Sequence, residues 1–512
     1  MSQESAAAAV DVPAGSEGAR TTAELANGEA LPWSDVPRVP VAKLREVIVS
    51  HVSNGARLSA FTGFARADGG VTLVAVLACA GEGVLRVVAS ELSSKEKSYP
   101  ALTPTCPQAH LFERDVLERF GVRPEGHPWL KPVRFPPGGP RVGEVDFYRV
   151  EGEEVHEVAV GPVHAGVIEP GHFRFQCHGE EVFHLEISLG YQHRGVERAL
   201  VGGPHQRTVH QLETVAGDTT IAHATAYAQL VEALSDSVAP PRAQALRAIG
   251  LELERLANHV GCLGAIAGDV AFLPTASYLG RLRGEFLNLT ALVCGNRFGR
   301  GIVRPGGVRF DLDGAQIATM RERLRLAGQD VDGALRQLWN TPTAMARFEG
   351  TGRVSPEVAR ELGLVGVAAR ACGLPVDVRR DFPAGLFQFV QVPLAVYESG
   401  DVFARAYVRA LEVEKSLKFV DEELATLPGG ATMKPCGKLA PAQLAVSLVE
   451  GFRGEVCHLA LTDETGAFAA YRIVDPSVHN WSAVAMALRD GQISDFPLCN
   501  KSFDLSYCGH DL

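Results

Sequence analysis

Apolar residues change their spacing several times along this chain, and each change marks a different kind of element. Between Val41 and Ser53 they recur every three or four residues, which predicts a helix. Val71–Ala80 (VTLVAVLACA) is apolar almost throughout and short, as a buried strand would be. Gly83–Ser90 reads as its hairpin partner, with Gly81-Glu82-Gly83 at the turn. A second hairpin is predicted from His172–Cys177 and Val182–Leu189 across Gly179, and a late one from Val456–Leu461 and Ala469–Val474. Elsewhere the period is helical. Leu246, Ile249, Leu253, Leu256, Val260 and Leu263 form one apolar stripe, and similar helices are expected at about 205–235, 277–298, 313–340 and 399–427.

This order predicts an α+β chain: a small N-terminal α/β domain at 31–135, then a mainly α-helical domain with small β-hairpins at 156–512. The Pro136-Pro137-Gly138-Gly139-Pro140 run marks a linker at 136–155. Residues 1–30 lack an apolar core, are rich in Ala, Gly, Glu and Ser, and read as a disordered tail. A chain of 512 residues has ample core for two or three domains.

Composition narrows the function classes. A net charge of −11 with no basic tract sets nucleic acid aside as a partner. Ten cysteines without a CxxC pair argue against a zinc ribbon or an iron–sulfur cluster on this chain, and fit free thiols in a reducing compartment. No apolar run approaches the roughly 18 residues of a membrane helix, and the first 30 residues carry no secretory signal. A soluble or peripherally attached protein on the cytoplasmic side of a membrane is expected. Cys177-His178 and His184 lack a fourth ligand at zinc spacing, and Cys457-His458 and Cys508-x-His510 are weaker still. No G-x-G-x-x-G follows a strand, so any link to NADH would run through other subunits.

The stretch Gly161–Glu197 (GPVHAGVIEPGHFRFQCHGEEVFHLEISLGYQHRGVE) resembles the opening of the large subunit of membrane-bound nickel–iron hydrogenases and of the homologous 49 kDa-type subunit of respiratory complex I. Gly363–Asp381 (GLVGVAARACGLPVDVRRD), Glu450-Gly-Phe-Arg-Gly-Glu455 and Asp475-Pro-Ser-Val-His-Asn-Trp481 continue the likeness. Glu113–Gly121 with Gly126-His127-Pro128 is similar to the signature of the complex I 30 kDa subunit, with Asp115 and Glu118 as departures; on its own it reads equally as an amphipathic surface helix. A 30 kDa-like domain fused ahead of a 49 kDa-like one resembles large subunits of the formate-hydrogenlyase type.

The resemblance is sharpest where it fails. In the hydrogenases a Cys-Gly-x-Cys-x-x-x-His element follows the opening loop, and Asp-Pro-Cys-x-x-Cys stands near the end. Here those cysteine positions hold Ala216, Thr219, Ser506 and Gly509, and Cys508 is out of step by one. A nickel–iron centre needs soft thiolates, which these residues cannot supply, so no metal is expected. Complex I has Asp-Tyr at the first pair and uses that tyrosine on the quinone; this chain has Ala216-Gly217.

The resemblance implies a cavity lined by His164, Glu169, His172 and Gly217. Glu169 stands at a proton-relay position, where burial would raise its pKa; the plainer reading is a loop carboxylate capping backbone amides. Asp218 is a second relay candidate. His223, at the family's histidine position, would bond Asp218 or a ligand, or be a satisfied core residue. Asp377, Arg379 and Arg380 resemble the segment whose arginine overhangs the hydrogenase site. Catalytic candidates are therefore Glu169, Asp218, His223 and Arg380. Arg194 and Glu197, three apart, can pair on a helical turn.

The implied function is that of a subunit of a membrane-associated oxidoreductase complex related to NADH-quinone oxidoreductase and membrane-bound hydrogenases. It would form a quinone-like cavity beside an iron–sulfur small subunit of the complex I 20 kDa type, which would carry the clusters. Antiporter-like membrane subunits would complete the assembly. Loss of both ligand sets keeps open a scaffold that couples a partner to the membrane subunits. An active hydrogenase would need unforeseen ligation by serine and Cys508.

Overall fold

The computed structural model describes residues 20–135, 138–140, 144–164 and 168–512. The fold is α+β. In the N-terminal part, strands Arg57–Ala65, Val71–Cys79 and Val84–Leu92 form an antiparallel sheet, extended on one edge by Ala23–Leu25. Val71–Cys79 is buried along its whole length, which is why it shows no alternation. Helices Val41–Ser53 and His110–Phe120 pack on this sheet, the second ended by Gly121 in the left-handed region.

The larger part is built around helix Pro241–Asp269. Helices Leu273–Cys294 and Val402–Ala425 pack against it, and Gly314–Trp339 packs against both of those. The stripe read from the sequence understates the central helix, because Glu252, Glu254, Arg255 and His259 are buried as well. Two antiparallel sheets flank the helices. One orders Gly491–Gln492, Glu181–Ser188, His172–His178 and Val155–Val160. The other orders Phe468–Val474, Gly454–Thr462, Gln443–Gly451 and Glu29–Pro32.

That last strand corrects the expected tail. Residues 23–32 form two short strands, one in each part of the molecule, and of that tail residues 1–19 lie outside the described residues. Main-chain pairing supplies what their composition does not advertise. Asn27, between the two strands, donates to Phe382 O at 2.7 Å and Leu448 O at 2.9 Å, and accepts from Leu448 N at 2.7 Å. The helix expected at about 205–235 is two, Thr208–Leu212 and Thr220–Leu234, broken by the turn around Ala216-Gly217. Pro136 and Pro137 of the linker signal lie outside the described residues.

The two parts share a buried ionic seam. Arg472, on strand Phe468–Val474, reaches Asp115 at 3.1 Å and Glu197 at 3.0 Å; Arg134 and Arg119 complete the pairs with Asp115 and Glu197. The Arg194–Glu197 pair expected from spacing does not form. Arg194 instead donates to Thr214 O (2.8 Å) and Val215 O (2.7 Å), holding the chain just before Ala216.

Candidate functional site

Four segments converge at the end of helix Thr220–Leu234: the loop from Gly161 to Gly171, the turn Ala216–Thr219, the hairpin turn carrying Arg453, and the C-terminal stretch from Asp504 to Gly509. Gly161 is held at φ +83° with the Gly171 carbonyl oxygen occupying the space a β-carbon would need, so the loop neck admits no side chain there. His164 Nε2 bonds Gly171 O at 2.9 Å and His172 Nδ1 bonds Gly161 O at 3.3 Å. Both histidines therefore fasten the loop. Val163 and Ile168 project from it, 74% and 54% exposed.

Glu169 is half-buried and accepts from Tyr507 N at 3.4 Å. The deep burial that would suit a relay carboxyl is absent. Its neighbour Cys508 has its thiol pushed up to about 11, first by burial and then by the Glu169 charge, so it stays protonated at neutral pH. Ser506 Oγ lies 3.4 Å from the Cys508 sulfur and accepts from Gly509 N at 2.9 Å.

Arg453 is the arginine of this site. It grips Asp218 with two bonds of 2.7 and 2.8 Å and donates to Thr219 Oγ1 at 3.1 Å and to Asp504 O. Burial alone would lower its pKa, but the facing Asp218 carboxylate outweighs burial and raises it. Behind this pair, Glu254 accepts from Ile221 N (2.7 Å) and Ala222 N (3.3 Å), the first turn of helix Thr220–Leu234. Burial pushes its carboxyl up to about 8 despite those bonds.

His223 is a core residue, not a wall residue, and its partners differ from the one expected. Its Nε2 meets Asp475 Oδ2 at 3.2 Å, and its Nδ1 meets His458 Nε2 at 3.0 Å; Arg453 has taken Asp218. Arg379 and Arg380 are corrections of a second kind. Arg379 is buried in another cluster, with Asp377 at 2.6 Å and Glu252 at 2.8 Å. That cluster continues through Arg370 to Glu412 and Glu450. Arg380 points to solvent and pairs with its neighbour Asp381 at 2.7 Å. The adjoining cleft of about 820 Å³ is lined by Asn27, Gln229, Arg247, Arg379 and Glu450, without Glu169, Asp218 or His223.

Local sequence reasoning assigns no role to Arg453, His458 or Asp475. A signal does exist for Arg453, since an arginine in a Gly-Phe-Arg-Gly hairpin turn must find a carboxylate once buried.

A nickel–iron centre does not fit these residues. Ala216 and Gly509 offer no side-chain donor, and the hydroxyl of Thr219 is engaged by Arg453. A β-carbon on Gly509 would lie 2.6 Å from the Asp475 carboxylate carbon, so that position is closed even to alanine.

Comparison with known proteins decides the lineage. Residues 269–444 match the family described as respiratory-chain NADH dehydrogenase, 49 Kd subunit, and residues 38–141 match the 30 Kd subunit. Formate hydrogenlyase subunit 5 of Escherichia coli is 30% identical over 440 residues, covering 81% of this chain and 77% of the relative. The chain belongs to the complex I 49 kDa and hydrogenase large-subunit family. NADH-quinone oxidoreductase subunit 4 of Thermus thermophilus is 30% identical over 380 residues, 69% of this chain and 92% of the relative. Hydrogenase-4 component G, also of Escherichia coli, is 28% identical over 444 residues, covering 82% of this chain and 77% of the relative. This family member is thus an oxidoreductase-type subunit of a membrane-associated complex, with its 30 kDa-like part ahead of its 49 kDa-like part. Among its described residues no helix is long and apolar enough to cross a membrane.

Proposed function

We propose that the chain forms a quinone-like cavity against a partner iron–sulfur subunit of the complex I 20 kDa type, and carries no nickel–iron centre. The observation that carries this reading is the donor set. Alanine, threonine, serine and glycine stand at the cysteine positions, and an Asp218–Arg453 ion pair lies among them. Exposed Val163 and Ile168, beside Gly217 and Glu169, give this face the mix of apolar surface and few polar groups that a headgroup site uses. The electrons would come from clusters in the partner, which is peripheral to the membrane together with this chain and is joined there by antiporter-like subunits. In this reading Glu169 serves proton delivery from the loop, and the Asp218–Arg453 pair is the fixed polar group beside the acceptor.

The test is a photoreactive quinone analogue applied to membranes holding the assembled complex. Label within 161–174 or 213–223, removed by excess native quinone, supports the reading. No label on this chain, in membranes where a control quinone protein is labelled, sinks it.

A scaffold without its own chemistry is the second reading. The tight Asp218–Arg453 pair favours it, since a closed ion pair stiffens the wall of a site that has lost its metal. It expects Glu169→Gln to leave turnover of the complex unchanged.

A further inference from the structure

Beneath the candidate site lies a buried line of four side chains. Asp475 Oδ2 meets His223 Nε2 at 3.2 Å, His223 Nδ1 meets His458 Nε2 at 3.0 Å, and His458 Nδ1 meets the Tyr471 hydroxyl at 2.9 Å. All four are buried: His223, His458 and Asp475 are 0% exposed and Tyr471 3%. They come from helix Thr220–Leu234, strands Gly454–Thr462 and Phe468–Val474, and the cap of helix Pro476–Leu488. One end abuts the site, since Asp475 lies against Gly509 and within the field of Arg453.

The donors and acceptors fit together in one direction. Burial alone would raise the Asp475 pKa, but its hydrogen bonds hold it below the usual value, and its Oδ1 accepts from Ser477 N at 2.8 Å, so it is a carboxylate and can only accept. His223 must then donate from Nε2. With neutral rings its Nδ1 accepts from His458 Nε2–H. Burial keeps His458 well below its ordinary pKa, so its remaining nitrogen accepts from the Tyr471 hydroxyl at 2.9 Å. Every ring nitrogen has a partner, and changing the proton position at the Asp475 end changes it along the whole line.

We propose that Tyr471, His458, His223 and Asp475 form a proton relay that feeds the cavity face. The proposal rests on the quinone-site reading for its acceptor, because quinone reduction consumes protons as well as electrons. A proton from solvent water enters at the Tyr471 oxygen as its phenol proton passes to His458 Nδ1. The His458 Nε2 proton passes to His223 Nδ1, and the His223 Nε2 proton passes to Asp475. One proton enters and one arrives. Tyr471 keeps its hydroxyl, and each ring ends with its proton on Nδ1 until it resets. These are positioning and relay residues, buried beneath the cavity face.

The test uses the full-length protein with 15N-labelled histidine and reads the protonation of both ring nitrogens. Asp475→Asn keeps the helix cap, since asparagine caps as well as aspartate. Its amide can donate to His223 Nε2. In a coupled relay the Nδ1 and Nε2 signals then exchange roles in His223 and in His458 together. Tyr471→Phe removes the donor to His458 Nδ1 while Asp475 still holds the proton on His223 Nε2, so both rings are expected to keep their proton positions, with only the His458 Nδ1 signal shifted. A change confined to His223 in the first variant, or exchanged nitrogen roles in the second, overturns the relay. Both results are independent of quinone labelling. A failed labelling experiment therefore removes the acceptor, whereas uncoupled histidines remove the relay.

Discussion

Gly509→Ala tests how the C-terminal turn is closed. The added β-carbon would lie 2.6 Å from Cγ and 2.7 Å from Oδ2 of Asp475. That carboxylate has little freedom to turn aside. Its Oδ1 caps helix Pro476–Leu488 by accepting from Ser477 N at 2.8 Å, and its Oδ2 holds His223. Displacing it removes the cap, about 1 kcal/mol. It also leaves a buried imidazole without its acceptor, about 1–3 kcal/mol. The expected loss is therefore about 2–4 kcal/mol from a single methyl group. Urea unfolding followed by Trp481 fluorescence is the assay, because its indole donates to Ser506 O at 3.2 Å and its ring meets Tyr507 at 4.9 Å. A lower midpoint at unchanged slope is expected. A midpoint equal to that of the unaltered protein would refute the steric argument. Paired with Asp475→Ala, the two losses should add to less than their sum.

Three other outcomes follow from the same contacts. Restoring all four cysteines (Ala216→Cys, Thr219→Cys, Ser506→Cys, Gly509→Cys) should yield no stoichiometric nickel by elemental analysis, because Asp475 and Arg453 already fill the place. Glu254 has a folded pKa of about 8, above its unfolded value, so its contribution is complete below about pH 4.5 and is lost as pH rises to 8. Stability relative to Glu254→Gln, measured by denaturant titration, should fall across that window; a flat difference would show that the carboxyl is not held protonated. Arg472→Met breaks pairs with Asp115 and Glu197 across the seam and should cost about 3 kcal/mol in urea unfolding, since it leaves buried carboxylates short of a partner.

What was legible in the sequence was what depends on neighbours along the chain. The helix Val41–Ser53, the strand Val71–Cys79 and the hairpin around Gly179 follow from local periodicity, and the structure has them with edges shifted by a residue or two. The break between Thr208–Leu212 and Thr220–Leu234 was missed because the apolar pattern continues across it, while Arg194, about twenty residues upstream, fixes the turn. The strands at 23–32 carry no local signature because their partners lie in two distant sheets. The site residues divide in the same way. His164, Glu169 and Asp218 were placed by motif. Arg453 and the His223–His458 contact depend on a fold that brings residues more than two hundred positions apart together, and no local spacing encodes that.

Strand Glu29–Pro32 also sets a timetable. It is made well before its partner strand, Gln443–Gly451, which lies roughly four hundred residues downstream. At translation speeds of about 5–20 residues per second, the segment waits on the order of 20–80 s with an unpaired edge. During that interval the small sheet can close only through Ala23–Leu25, and the Asn27 anchor has neither Phe382 nor Leu448 to hold. The two halves are thus joined by a latch that shuts only once the chain has been made through Gln443–Gly451.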